Sequence, residues 1–120
     1  PSLFMAKSLK NKGKKSWVYQ FNRVRDDKLA KKYGAFHGAE LPYVFDTHDD
    51  WLPTNDADKE LTEVIQSYWL SFARTGNPNN ADNVIWPEYM SSDDTSIVLN
   101  SKVFSRSHES SEICKIMGLF

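Results

Sequence analysis

Cysteine is almost absent from this chain of 120 residues, in which Cys114 is the single thiol. One cysteine forms neither an internal disulfide framework nor a cysteine-based zinc site, so both are excluded within the chain. Any disulfide that Cys114 makes must leave the chain. The N-x-S/T pattern of glycosylation acceptors is also missing, and the sequence therefore does not distinguish a secreted from an intracellular location.

An excess of charge of one sign is lacking as well, and so are long apolar runs. Fifteen basic and sixteen acidic residues leave a formal charge of −1, so no overall field attracts nucleic acid or an anionic membrane, and neither is expected as a partner. No segment has the roughly 20 consecutive apolar residues of a transmembrane helix. Residues 1–17, which do not begin with Met, contain no signal-peptide core. Neither a membrane span nor a secretion signal is predicted.

Aromatic residues, by contrast, are abundant: the chain contains four Trp, five Tyr and seven Phe. Each buries about 150–250 Å² when packed, whereas a domain of this length has a limited interior. We therefore expect either an unusually aromatic core or rings that face a partner.

Hydrophobic periodicity predicts both helices and strands. Residues 1–12 have a weak helical pattern that stops at Gly13. Residues 16–22 alternate in the manner of a strand, and residues 96–99 form a second short apolar strand. The charged stretch 23–32 between the strands is expected to be a solvated loop or a short surface helix.

The longest predicted helix spans residues 58–74 and ends at Gly76. Its apolar residues follow helical spacing: Leu61, Val64, Ile65, Tyr68, Trp69 and Phe72. Pro42 is placed to occupy the first turn of a shorter helix, and residues 105–120 are predicted to form a last one. Two strands make only a marginal sheet. Together with the start at Pro1, this indicates an α/β fold that is incomplete by itself.

The three histidines are the candidates for acid–base chemistry. His37 lies between Gly34 and Gly38, which let the backbone turn tightly and let the ring approach other groups. A structural role for His37 remains the alternative on the residues alone. His48 lies in an acidic, turn-rich loop, where one nitrogen ligand is weak evidence for a metal site, and His108 lies among Ser and Glu. Both are expected to be ordinary exposed residues.

Motifs for other chemistry are missing. The chain has no G-x-S-x-G nucleophile turn, no H-E-x-x-H, no glycine-rich phosphate loop and no paired metal carboxylates. No cofactor or metal is therefore expected, and the chain by itself offers a possible base without a nucleophile.

Three motifs occur in a fixed order: HGAELPYVF at residues 37–45, YWLSFARTGNPN at 68–79 and WPEY at 86–89. In this order they resemble the C-terminal region of the type-B carboxylesterase/cholinesterase family, over residues 17–99 and more weakly to the end. The resemblance implies that residues 1–120 are the C-terminal segment of an α/β-hydrolase catalytic domain.

The activity that the resemblance implies is hydrolysis of carboxylic esters through a Ser–acid–His triad. His37 matches the family's catalytic histidine, and the order Ser, acid, His places the other two members upstream. The implied partners are the remaining N-terminal part of the hydrolase and a small-molecule carboxylic ester. The 120 residues alone are then expected to be inactive. The same family includes adhesion members that lack the nucleophile, so a non-catalytic binding protein is the alternative function.

Two further residues take their interpretation from the resemblance. Glu40 matches a buried glutamate near the family's site, so it is either a carboxylate that tunes the surroundings of His37 or a helix-start residue favoured by the helix dipole. Cys114 matches a half-cystine of cholinesterase-like members, and it is either bridged to a partner before Pro1 or a free buried thiol.

Overall fold

The computed structural model describes residues 2–107. Seven elements occur in chain order: α1 (Ser2–Asn11), β1 (Tyr19–Phe21), α2 (Lys28–Tyr33), α3 (Leu41–Phe45), α4 (Asp56–Thr75), β2 (Ser96–Leu99) and β3 (Phe104–Arg106). Within residues 2–107, none of the helices is long and apolar enough to cross a membrane.

The three strands form one sheet in the order β1-β2-β3. All four residues of β2 are buried, whereas those of β3 are exposed. β2 and β3 are antiparallel, and their paired residues are Ser96 with Arg106, Ile97 with Ser105 and Val98 with Phe104.

Two backbone hydrogen bonds link β1 to β2. Ile97 N donates to Val18 O at 3.0 Å, and Asn22 N donates to Leu99 O at 2.9 Å. From the first bond to the second, the residue number rises in both strands, which is the pattern of a parallel pair. Parallel strands need a long crossover connection, and here residues 23–95 supply it with helices α2, α3 and α4.

The described residues divide into two compact units. The first contains residues 2–20, 86–98 and 104–107. Its core includes Ala6, Trp86 and Tyr89. The indole Nε1 of Trp86 donates to a backbone carbonyl at 3.0 Å, so the polar atom of this buried ring is satisfied.

The second unit contains residues 21–85 and 99–103, and it holds α2, α3 and α4. α4 begins at an N-cap, Asn55, whose side chain and backbone form a reciprocal capping box with Asp58. It ends at Gly76, which has the left-handed backbone of a C-cap at φ 74°. The predicted helix is therefore confirmed, with two more residues at its start and one more at its end. Burial raises the pKa of Tyr68, which lies on the inner face of α4, to about 12.

Two predicted elements differ from the structure. The first strand is shorter than residues 16–22, because Ser16 O accepts from Tyr89 N and thus pairs with a loop rather than with a strand. The prediction of a helix from residue 105 is wrong at Ser105 and Arg106, which belong to β3. The rest of that predicted helix lies outside the described residues.

The aromatic residues divide between the core and the surface. Tyr43, Tyr68 and Tyr89 are at most 1% exposed, whereas Phe45 and Trp51 are about two-thirds exposed, at 67% and 64%. Each unit thus buries aromatic rings, and other rings face outward.

Candidate functional site

His37 lies on the turn that joins α2 to α3 and is exposed. Two backbone hydrogen bonds close this turn: Ala39 N donates to Phe36 O at 3.0 Å, and Leu41 N donates to Gly38 O at 3.1 Å. Within residues 2–107, no side chain forms a hydrogen bond with the His37 ring. Both ring nitrogens are therefore available to groups outside this part of the chain.

The chain direction on either side of His37 is fixed by short helices. α2 is capped at its start by Asp27, whose carboxylate accepts from Leu29 N and Ala30 N at 2.8 and 2.9 Å. α3 begins directly after the turn and carries Pro42 in its first turn, as predicted. Gly38, between them, has φ +84°, which a residue with a Cβ adopts only at a cost.

Glu40 is the N-cap residue of α3, but its side chain makes no capping hydrogen bond. This position agrees with a carboxylate at the start of a helix. A role for Glu40 in tuning His37 stays a prediction, because no hydrogen bond joins the two side chains within the described residues.

A buried ion pair lies at the N-terminus of α4. Arg23 Nε donates to Asp58 Oδ1 at 2.7 Å, and both side chains are almost completely buried, at 6% and 1% exposure. Tyr43, from α3, donates its hydroxyl to the same oxygen at 2.8 Å. The other oxygen, Asp58 Oδ2, accepts from Asn55 N at 3.0 Å. Asp58 thus ties the end of β1, helix α3 and the start of α4 together.

The protonation states of this cluster follow from its contacts. Burial by itself would raise the pKa of Asp58, but the hydrogen bonds from Arg23, Asn55 N and Tyr43 outweigh it and hold that pKa below the ordinary value. The hydrogen bond to Asp58 likewise raises the pKa of Arg23. Burial, followed by the bond to Asp58, raises that of Tyr43. Asp58 is therefore ionised, Arg23 charged and Tyr43 neutral at physiological pH.

Arg25 is a second buried guanidinium, at 5% exposure. Its Nη1 donates to Thr54 Oγ1 at 2.7 Å and to two backbone carbonyls, and its Nη2 bonds to His48 Nδ1 at 2.8 Å. The guanidinium carbon lies 5.1 Å from the centre of the Tyr43 ring. No carboxylate within residues 2–107 forms an ion pair with Arg25.

The expectation that His48 is an ordinary exposed residue is wrong. Its ring is half-buried, its Nε2 bonds to Thr62 Oγ1 at 2.8 Å, and it packs edge-on against Tyr43 with the centroids 5.1 Å apart. Burial, and next the charge of Arg25, lower the pKa of His48 below its ordinary value. His48 thus joins the loop after α3 to α4, and the described residues contain no group of His, Cys, Asp and Glu that could hold a metal ion.

The expectation that residues 23–32 are a solvated stretch is also wrong at Arg23 and Arg25, which are buried. A signal for this exists in the sequence. Both arginines continue the every-second-residue spacing of Trp17, Tyr19 and Phe21 beyond the end of the strand. Asp26 matches the prediction, since it is exposed. His108 and Cys114 lie outside the described residues.

Both the sequence and the fold of this chain are similar to those of known proteins. The model of the carboxylesterase family matches residues 1–116. Para-nitrobenzyl esterase from Bacillus subtilis (strain 168) is 34% identical over 101 residues, which cover 80% of this chain and 20% of that protein. Acetylcholinesterase from Bungarus fasciatus is 32% identical over 111 residues, or 85% of this chain and 18% of that protein.

A solved structure of a PNB esterase superposes with a TM-score of 0.78 at 31% identity, covering 94% of this chain and 23% of that one. A second has a TM-score of 0.73 at 36% identity, covering 89% of this chain and 21% of that one. The fold is therefore part of an α/β-hydrolase fold, and the chain spans about a fifth of the length of these relatives. The family match and the resemblance of the three motifs agree: the chain belongs to the carboxylesterase family.

Proposed function

We propose that this chain is the C-terminal segment of a serine carboxylesterase and that His37 is the general base of its catalytic triad. The family supports ester hydrolysis in general. The observation that carries the assignment of the base is the position of His37: an exposed imidazole on a hydrogen-bonded turn, with neither nitrogen bonded to residues 2–107.

A catalytic histidine needs two partners, and an imidazole with both nitrogens available meets that requirement. One nitrogen accepts the proton of the nucleophilic serine while the other donates to a carboxylate that orients the ring. The serine, the acid and the oxyanion hole belong to the rest of the protein. The 120-residue chain is therefore inactive by itself.

The reaction consists of two acyl transfers. The serine oxygen attacks the ester carbonyl as His37 removes the hydroxyl proton, and His37 then gives this proton to the departing alcohol. Water attacks the acyl-enzyme with His37 again as the base, and the proton returns to the serine oxygen as the carboxylic acid leaves. Each proton taken by His37 is thus returned, and one water is consumed for each ester cleaved.

The turn supports this role because its backbone is hydrogen-bonded while the His37 ring is exposed. The two hydrogen bonds of the turn and the positive φ of Gly38 hold the Cα of His37 in place between α2 and α3. A base that is held in position before the reaction avoids an ordering cost during it.

The experiment compares the hydrolysis of an activated ester by the full-length protein and by its His37→Ala variant. We expect kcat/KM to fall by about 10⁴-fold or more, since removal of a triad histidine leaves only the oxyanion hole and substrate binding. The matched control is His48→Gln, in which another histidine of the same unit is replaced, and its kcat/KM at neutral pH stays close to the wild-type value. Equal activity of His37→Ala and the wild type would refute the proposal.

A further inference from the structure

A chain of four hydrogen-bonding groups runs through the His48 ring. Arg25 Nη2 bonds to His48 Nδ1 at 2.8 Å, His48 Nε2 bonds to Thr62 Oγ1 at 2.8 Å, and Thr62 Oγ1 donates to Asp58 O at 2.8 Å. Through these contacts the loop formed by residues 46–55 is fastened at His48 to a buried guanidinium on one side and to α4 on the other.

Arg25 and the Asp58 carbonyl, at the two ends of this series of hydrogen bonds, determine the direction of each bond in it. Arg25 has donors only, so Nδ1 of His48 must be the acceptor. The Thr62 hydroxyl donates its only proton to the carbonyl of Asp58. Its oxygen must therefore accept from His48 Nε2. The His48 ring must therefore be neutral, with its single proton on Nε2.

Protonation gives the His48 ring its second proton. This proton is bound to Nδ1, directly opposite the Nη2 protons of Arg25. The hydrogen bond is then replaced by two donors facing each other, and both groups carry a positive charge. Thr62 still accepts from Nε2, but the link to Arg25 is lost.

The charged and titratable groups around the ring come from each element packed against it. Arg25, after β1, opposes a charge on His48, whereas Asp46 in the loop and Asp58 in α4 favour it. Tyr43, from α3, presents its ring edge-on and is neutral. The cleft beside the ring is also lined by four charged side chains: Asp49, Asp50, Lys59 and Glu63.

We propose that His48 is a pH-sensitive latch, which fastens loop 46–55 to the buried Arg25 while the ring is neutral and loosens this attachment when the ring is protonated. The loop forms one wall of a cleft of about 640 Å³, whose other wall belongs to α4 and includes Thr62 and Gln66. Protonation of His48 therefore withdraws one acceptor from the buried Arg25, whose Nη1 keeps its bonds to Leu52, Pro53 and Thr54. The wall of the cleft that carries His48 is loosened.

The sign of the effect follows from linkage. The pKa of the folded ring lies below the ordinary histidine value of about 6.5, so the open form binds the proton more readily than the latched form. The latch is fully effective above about pH 6.5, and it weakens as the pH falls from there towards the lower pKa of the latched ring.

The test measures amide hydrogen exchange in the full-length protein at pH 7.5 and pH 5.5, with each rate divided by the intrinsic rate at that pH. We expect the opening of residues 46–55 to increase several-fold at the lower pH, while residues 61–68 of α4 keep their protection. In His48→Gln, whose amide still supplies one acceptor and one donor but does not titrate, the increase disappears. His37→Gln, at an exposed histidine of the same unit, keeps it.

Three results would overturn the latch. The first is an opening of residues 46–55 in the wild type that does not change between the two pH values, and the second is an equal increase in His48→Gln. The third is a nitrogen NMR spectrum of the wild-type imidazole at pH 7.5 in which Nδ1 of His48, rather than Nε2, carries the proton. This measurement remains decisive even if His48→Gln fails to fold.

Discussion

At the scale of single residues, the Asp58 carboxylate joins three groups at the start of α4. It is 0% exposed, and it accepts from a guanidinium, a phenol and a backbone amide. A buried carboxylate is costly unless such partners satisfy it. The same contacts that keep Asp58 ionised also fix the first turn of α4, because its Oδ2 completes the capping box.

We therefore predict that Asp58→Asn destabilises the full-length protein by about 3–5 kcal/mol, since it removes the buried counter-charge of Arg23 and leaves only the exposed Asp26, 3.0 Å from Arg23 Nη2. Denaturant unfolding at pH 7 measures this. The difference in the free energy of unfolding between variant and wild type should persist above about pH 4. It should shrink as the pH falls through the lowered pKa of Asp58, because the protonated wild-type side chain is then uncharged, like that of Asn.

The control for this prediction is Asp56→Asn, two residues earlier in the same helix. Asp56 has a side chain that is 96% exposed and lies 3.9 Å from Lys59, and exposed pairs of this kind contribute little, about 0–1 kcal/mol. Equal losses in the two variants would show that the buried ion pair has no special role.

At the scale of elements, the turn between α2 and α3 is the part on which the proposed chemistry depends. Gly38 has φ +84°, and a Cβ added there would meet Leu41 Cδ1 at 3.6 Å, an ordinary contact. The cost of a side chain at Gly38 is therefore backbone strain of about 1–2 kcal/mol rather than a clash. The turn relieves such strain by shifting, and a shift moves the adjacent His37.

We predict that Gly38→Ala lowers kcat by at least about tenfold, because small displacements of a catalytic group are costly. The matched control is Gly76→Ala, which introduces a similar strain at φ +74° with nothing within 4 Å, but at the end of α4. Both variants should lose similar stability in thermal unfolding, and only Gly38→Ala should lose activity. A Gly38→Ala enzyme with wild-type kcat would show that the turn does not position the base.

The elements also show what the sequence could and could not predict. Six apolar residues of α4 at helical spacing and the glycine stop predict that helix, because one amphipathic face and two caps specify it locally. The burial of Arg23, Arg25 and His48 depends on contacts between residues 14–35 positions apart. Their polarity indicated a solvated loop, because a local pattern contains no information about the partners that satisfy a buried charge.

At the scale of the whole molecule, the chain has more apolar surface than its own fold covers. Phe45 and Trp51 project from the second unit, and Phe4 and Met5 project from the first, each about two-thirds exposed. Large exposed apolar patches mark interaction surfaces in soluble proteins. In the proposed esterase the remaining part of the protein covers them, which agrees with a chain that spans about a fifth of its relatives.

Activation by His37 of a serine in the rest of the protein is measured by covalent labelling with an organophosphate-type serine probe. We predict that the wild-type full-length protein forms a bond between a serine oxygen and phosphorus. His37→Ala should react at least about 100-fold more slowly, His48→Gln should react at the wild-type rate at pH 7.5, and the isolated 120-residue chain should not react. Labelling of His37→Ala at the wild-type rate, or stable labelling of the isolated chain, would show that His37 is not the base that activates this serine.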